Sequence, residues 1–330
     1  MNTSRRTFMA RTWPLFLGAS LAPRITWADS AKYPDKPVHF YVPYPPGAAT
    51  DTIGRMAAQV YAQAYGQSFV VENRGGGGTI IGTRALASAS PDGYTIGMVD
   101  STFVINPGLR GAQLPYDTLK DFAPISLIAT APFVLVVHPS VKANDLKSFI
   151  ALAKAQPGKL TFGSAGIGSG PHLAGEQLRQ EAGIDIRHIP YRGGGTVISD
   201  LLGGQVSCAF ATVPTLAPHI KAGRLRALAV TSAHRTSLLP DVPTFSESGL
   251  PGVDISPIFG VIAPAGVNAG IIDKLAGTLG QSARSGELHQ KLTRMGFDAV
   301  GSTPAEFGKR IRSEVAKWKQ VIQRGGIKPE

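Results

Sequence analysis

Four times in 330 residues, a run of β-forming residues ends in a glycine-rich loop that opens into a helical stretch. The loops are Pro45-Pro46-Gly47-Ala48-Ala49-Thr50-Asp51, Arg74-Gly75-Gly76-Gly77-Gly78, Gly163-Ser164-Ala165-Gly166-Ile167-Gly168-Ser169-Gly170 and Tyr191-Arg192-Gly193-Gly194-Gly195-Thr196. Repeated strand, loop and helix units predict an α/β fold with largely parallel sheets covered on both faces. The 39 glycines and 25 prolines fit many short turns and argue against a helical bundle.

The units fall into two series. Strands are predicted at 38–42, 69–72 and 95–99, with a helix from Asp51 that presents Ile53, Met56, Ala57, Val60 and Ala64 on one face and another from about Thr79. A second series begins at 133–137 and continues through strands at 160–162, 186–189, 206–210 and 225–231. Its helices lie at 145–155, from near His172, and from the loop at 193–195 to Gly203-Gly204. Another strand, 258–262, precedes a helical tail ending in the stripe Phe307, Ile311, Val315, Trp318 and Ile322. The simplest architecture has two α/β lobes, residues 29–131 with 255–330 and residues 132–254, joined by two crossover strands near 131 and 255 that form a hinge.

Residues 1–28 read as a leader. Ser4-Arg5-Arg6-Thr7-Phe8-Met9 puts paired arginines before a short apolar run, 13–22, and Thr26-Trp27-Ala28 offers a small-residue cleavage site. Pro14 interrupts the run, which falls short of the ~20 residues of a spanning helix. A twin-arginine export signal and a periplasmic protein are therefore expected. Its removal takes four arginines and no acid, lowering the net charge from +11 to +7. The remaining lysines and arginines are scattered, without interleaved aromatics or a nucleic-acid motif, so no nucleic-acid partner is expected. Cys208 is the only cysteine, in an apolar strand, and reads as core; no intrachain disulfide is available.

A glycine-rich loop entering a helix lets backbone N–H groups converge at the positive end of the helix, which suits an anion. Any one such loop is more readily a plain tight βα turn; four, two in each lobe, point to a binding cleft. Nucleotides fit poorly, because no G-x-x-x-x-G-K-[ST] or G-x-G-x-x-G is present and no lysine follows the run of glycines at 75–78. Catalytic signatures are missing too: there is no G-x-S-x-G, H-E-x-x-H or C-x-x-C, and the seven histidines are dispersed. Ser169 and His172 are neighbours, but His172 stands at a helix start without an identifiable orienting acid. Asp51 reads as a residue that fixes its loop at the helix N-terminus rather than as a base. No catalytic residue, metal or cofactor is expected.

The segments Tyr44-Pro45-Pro46-Gly47-Ala48-Ala49-Thr50-Asp51, Glu72-Asn73-Arg74, Leu114-Pro115-Tyr116-Asp117 with Asp121-Phe122-Ala123-Pro124, Tyr191-Arg192-Gly193, and Leu225-Arg226-Ala227-Leu228-Ala229-Val230-Thr231 resemble the Bug (TctC-like) extracytoplasmic solute receptors of tripartite tricarboxylate transporters. The resemblance implies a two-lobed periplasmic binding-protein fold, type II-like. It also implies a monomer that closes over a small carboxylate and delivers it to membrane permease subunits. By position it implies ligand contacts at Tyr44, Gly47, Ala48, Ala49, Thr50 and Asp51 in the first lobe. In the second lobe it implies Ser164, Ala165, Ser169, His172, Tyr191 and Gly193, with Gly76, Gly77, Gly78 and Ser101 as secondary candidates. Arg192 either pairs with an acid on the ligand or covers the cleft rim.

Two positions depart from the family pattern: Ala48 stands where a second glycine is usual, and the loop after Arg74 ends in Thr79 where the pattern has glycine. The alternatives left open are a receptor that docks on a signalling partner, and a periplasmic hydrolase using Ser164 or Ser169.

Overall fold

The computed structural model describes residues 33–47, 49–191 and 194–329. The leader, Ala48, Arg192 and Gly193 lie outside the described residues. The first lobe opens with three βα units: β1 (Val38–Val42), α1 (Ala49–Tyr65), β2 (Phe69–Asn73), α2 (Ile80–Ala87), β3 (Thr95–Asp100) and α3 (Ser101–Arg110). Strand β4 (Phe122–Thr130) then leads to β5 (Phe133–Val137) and α4 (Leu146–Ala155). Three more βα units follow: β6 (Thr161–Ser164), α5 (Gly170–Ala182), β7 (Arg187–Pro190), α6 (Gly194–Leu202), β8 (Cys208–Thr212) and α7 (Val213–Lys221). Strand β9 (Arg226–Val230) precedes a long irregular segment. The chain ends with β10 (Ile258–Pro264), α8 (Ala269–Ser285), α9 (Glu287–Arg294), β11 (Asp298–Ala299) and α10 (Pro304–Gly325).

These strands build two sheets, ordered β11-β4-β10-β3-β1-β2 and β7-β6-β8-β5-β9. Two α/β lobes result. Both sheets are mixed, which corrects the expectation of largely parallel ones. Strand β10 runs antiparallel to β3 and β4, and β5 antiparallel to β8 and β9. The reason is the route of the chain: β5 and β10 each follow a passage from the other lobe, so each points away from the hinge. The strands feeding α1, α2, α3, α5, α6 and α7 point towards it. Their carboxyl ends, where ligands of open α/β sheets bind, therefore lie on the hinge-side edge of each sheet.

Between the lobes the chain is tied at Thr231, which is 2% exposed. Its N–H donates to the Phe133 carbonyl (2.9 Å), its Oγ1 accepts the Phe133 N–H (2.9 Å), and the same hydroxyl donates to the Ile255 carbonyl (2.5 Å). Both passages are thus held by one side chain. A continuous apolar core runs beneath them, from Phe103 and Leu109 through Phe133 to Phe162 and Leu173.

Two predicted stripes shift. On α1, Ala64 is exposed and Tyr61 occupies the buried face. On α10, Val315 is only half-buried, while Glu314 is buried and accepts the Trp318 indole N–H (2.7 Å) beside Arg310 (2.8 Å). A carboxylate can be buried there because a cation and a donor on its own helix satisfy it. Cys208 lies buried in β8, and burial pushes its thiol up to about 12, so it is inert core.

Candidate ligand-binding cleft

In the first lobe, β1, β2 and β3 run parallel and end together. The helices α1, α2 and α3 start from that edge, so three sets of unpaired N–H groups converge there. The loop before α1 is fixed by Asp51, 3% exposed. Its carboxylate accepts the Gly47 N–H (2.9 Å), the Asn73 amide (2.7 Å) and Arg55 Nε (3.0 Å). Asn73 also donates to the Tyr44 carbonyl (2.9 Å), and Arg55 donates to the Asn73 amide oxygen (2.9 Å). Burial alone would raise the Asp51 carboxyl, but Arg55, Asn73 and Gly47 reverse the effect and hold it below its ordinary value.

Tyr44 shares a hydrogen bond with Thr102 (3.0 Å). Asp100 caps α3 through the Thr102 N–H (2.9 Å); burial raises its carboxyl despite the donors around it. The Ser101 hydroxyl is buried and accepts the Ile258 N–H (3.1 Å), tying β10 to α3. Gly76, Gly77 and Gly78 are exposed, each with positive φ, and they are followed by Thr79 at φ 75°. Thr79 is the departure from the family pattern, and it falls at a backbone position that suits glycine. Its buried hydroxyl lies 3.4 Å from the Asn106 amide, which also donates to the Gly78 carbonyl (3.1 Å).

In the second lobe, the loop at 163–170 is held by two histidines. Ser164 is fully buried; its Oγ lies 2.6 Å from His188 Nε2 and accepts the Gly166 N–H (3.2 Å). His172 Nδ1 accepts the Gly168 N–H (3.0 Å), and Ser169 caps α5 through the His172 N–H (3.4 Å). The imidazoles of His172 and His188 stack with centroids 4.0 Å apart, and Phe162 lies 4.7 Å from His188. Burial, aided by Arg179 and for His172 by its neighbour His188, lowers His172 to about 3 and His188 to about 4. Both rings are neutral at pH 7. Tyr191 donates its N–H to the Ser164 carbonyl (3.0 Å) and its hydroxyl to Asp200 (2.7 Å); desolvation and Asp200 push that hydroxyl up to about 12.

The loop at 163–170 packs against α3 of the first lobe: a Cβ on Gly168 would lie 2.3 Å from Leu109, while one on Gly170 would lie 2.9 Å from Phe133 of β5 in its own lobe. Among the described residues, no group of three or more His, Cys, Asp or Glu is arranged to hold a metal ion, and no helix is long and apolar enough to cross a membrane.

The chain matches known proteins over most of its length. A family model described as the tripartite tricarboxylate transporter family receptor, TctC, matches residues 53–327. The chain belongs to the TctC receptor family. It is similar to protein BugT of Bordetella pertussis, 37% identical over 297 residues that span 90% of this chain and 91% of BugT. Its fold is similar to that of a protein described as a periplasmic transporter: 37% identity, TM-score 0.82, 90% of this chain and 99% of that one. R. palustris Rpa4515, solved with adipate, matches at 32% identity and TM-score 0.83, over 90% of this chain and 100% of the other.

In this TctC chain the structure brings Tyr44, Gly47, Ala49, Thr50 and Asp51 together at one jaw, with Gly76, Gly77 and Gly78 on the neighbouring loop and Ser101 at the head of α3. It brings Ser164, Ala165, Ser169, His172 and Tyr191 together at the other. Asn73, Asp100, Thr102 and His188 are the supporting residues that the glycine pattern did not single out. The units β3–α3 and β8–α7 have no glycine in their turns. Asp100-Ser101 at the head of α3 and Pro214 in the first turn of α7 were the available signals. His172 does have an acid nearby: its Nε2 is 3.8 Å from Glu176, which is itself bridged by Arg179 (2.9 Å). The helix predicted from near His172 already puts Glu176 one turn on, and that i,i+4 spacing was the signal that could have found it.

Proposed function

We propose that this chain is a periplasmic solute receptor that closes its two lobes over a small organic carboxylate and presents it to the permease subunits of a tripartite transporter. The observation that carries the reading is the pair of facing jaws. Each offers helix N-termini and loop amides, and the buried acids Asp51 and Asp100 are committed to holding the loops of the first. A hydrogen bond to a charged group contributes about 1.5–3 kcal/mol, and micromolar binding needs about 8 kcal/mol before ordering costs. One jaw with two such bonds falls short. Both together reach it without a salt bridge to the bound carboxylate.

On this reading the ligand meets the backbone of Gly47, Ala48, Ala49 and Gly193, the loop at 76–78, and the hydroxyls of Tyr44, Thr50, Ser169 and Tyr191. Asp51, Ser101, Ser164 and His172 act by fixing those loops, with Ala165 between them. Residues 29–131 with 255–330 form one moving body and 132–254 the other, exported as a monomer behind the twin-arginine leader. The adipate complex of Rpa4515 and the family's description as a receptor support a carboxylate as ligand.

The Ser164–His188 pair does not favour a hydrolase. Ser164 is fully buried, and among the described residues no carboxylate lies within ion-pairing distance of His188. A thermal-shift panel of mono-, di- and tricarboxylates against the mature protein tests the receptor reading. A true ligand at one hundred times Kd stabilises by about 2.7 kcal/mol. A flat panel across aliphatic and aromatic acids removes the proposal.

A further inference from the structure

Helix α10 carries six cations, and they divide into two sets. Arg310 and Lys317 are half-buried and paired, with Glu314 at 2.8 Å and Asp254 at 3.6 Å. Lys309, Arg312, Lys319 and Arg324 are exposed, and none of them forms an ion pair with the described residues. Their spacing keeps all four on the outward half of the helix, along about 22 Å of its length. From Lys309 to Arg324 every exposed position is Lys, Arg, Ser, Ala or Gln. The exposed acid of α10, Glu306, lies before this stretch and is engaged in the capping box with Thr303.

The buried side of α10 fixes which way the stripe looks. Phe307, Ile311, Trp318 and Ile322 enter the same core as Phe149 of α4. On β5, Leu135 and Val137 point into that core, while Val134 and Val136 point into the core of α6 and α7. Helices α4 and α10 therefore cover one side of the molecule, and α7 and α9 the other. Lys147 and Lys154, seven apart on the exposed face of α4, add to the charge on the α10 side.

A solvated helix face normally mixes both signs, because like charges one turn apart repel. A stripe of one sign attracts an extended anionic surface. Its make-up favours lipid over an acidic protein. Protein interfaces are anchored by aromatic or large apolar side chains, and the outward face of α10 has none; the exposed Val70, Ile81, Leu119 and Met295 lie on other elements. A headgroup layer needs only cations held close to it.

We propose that α10 is the face by which this protein rests on an anionic membrane surface, with Lys309, Arg312, Lys319 and Arg324 meeting phospholipid headgroups. The contact is peripheral and electrostatic, since the apolar side of the helix is committed to the core.

The test is co-sedimentation of the mature protein with vesicles of phosphatidylcholine, alone or with about one-third phosphatidylglycerol, at low and high salt. The wild type is expected to bind the anionic vesicles only, and to be released by about 1 M salt, where the Debye length is about 3 Å. The combined variant Lys309→Gln, Arg312→Gln, Lys319→Gln, Arg324→Gln should bind them about tenfold more weakly or worse, with an unchanged thermal melt. A control on the α7 and α9 side, Lys221→Gln, Arg224→Gln, Lys291→Gln, Arg294→Gln, removes the same charge and should weaken binding by no more than about threefold. Equal losses in the two variants reduce the effect to net charge and overturn the proposal. So does a wild type that ignores anionic vesicles, binds both kinds alike or stays bound at high salt, whether or not the stripe variant folds. Retention on immobilised polyglutamate without vesicle binding overturns it too, in favour of an acidic protein partner.

Discussion

The Asp51 carboxylate accepts the backbone N–H of Gly47 at 2.9 Å, across the turn that joins β1 to α1. The side chain at the start of the helix thereby sets the direction of the amides that precede it. Asp51→Ala removes this bond and strands the Asn73 amide and Arg55, at a cost of about 1–3 kcal/mol in stability. Ligand affinity should fall by at least tenfold under conditions where the variant is fully folded. Chemical denaturation alongside calorimetry separates the two; a large stability loss with unchanged affinity would make Asp51 purely structural.

Thr79 at φ 75° is the one non-glycine residue with positive φ among the described residues. A β-branched side chain pays about 1–2 kcal/mol there, partly offset in a glycine variant by the freer unfolded chain. Thr79→Gly should therefore stabilise by about 1 kcal/mol, visible as a rise of a few degrees in Tm. Destabilisation would instead show that the buried contact with Asn106 outweighs the strain.

Gly168 faces Leu109 across the lobes with φ 78°. A valine there meets both a strained backbone and a side chain in its way, so it should hinder the approach of the jaws. The expected result for Gly168→Val is at least a tenfold loss of affinity, exceeding what its loss of stability explains. Leu109→Ala in the same background should recover part of the affinity by making room. No recovery would place the defect in the loop itself.

Acid should weaken this fold through its histidine stack. His172 and His188 are held near 3 and 4 in the folded chain, below the ordinary 6.5 of the unfolded one. Between those values the unfolded state binds more protons, so stability is lost as pH falls from about 6.5. Two such groups give a slope of at most about 2.7 kcal/mol per pH unit. Protonation of His172 at Nδ1 would also remove the acceptor of the Gly168 N–H. Urea midpoints from pH 7 to pH 4 should fall steeply in the wild type and less so in His188→Gln; parallel curves would discount the stack.

What the sequence shows of this molecule is what is local in it. Strand–loop–helix units appear as alternating periods and glycine runs, so the positions of α1, α2, α5 and α6 were legible, as was the role of Asp51 at its own turn. The antiparallel β5 and β10 were not, because strand direction depends on which lobe the chain has just left. Nor was the stacking of His172 on His188, which depends on β6 and β7 pairing side by side. Glu314 was hidden for a third reason: a buried acid on an amphipathic helix looks like a surface residue until Trp318 and Arg310 are seen to close over it.

The central claim, that facing loop amides grip a carboxylate, is tested most directly by one pair of titrations. The best acid of the panel and its neutral amide, identical in shape but for the charge, are each titrated into the mature protein by calorimetry. The account predicts a saturable one-to-one complex with the acid, and an amide at least a hundredfold weaker. Equal affinity for the two would contradict it.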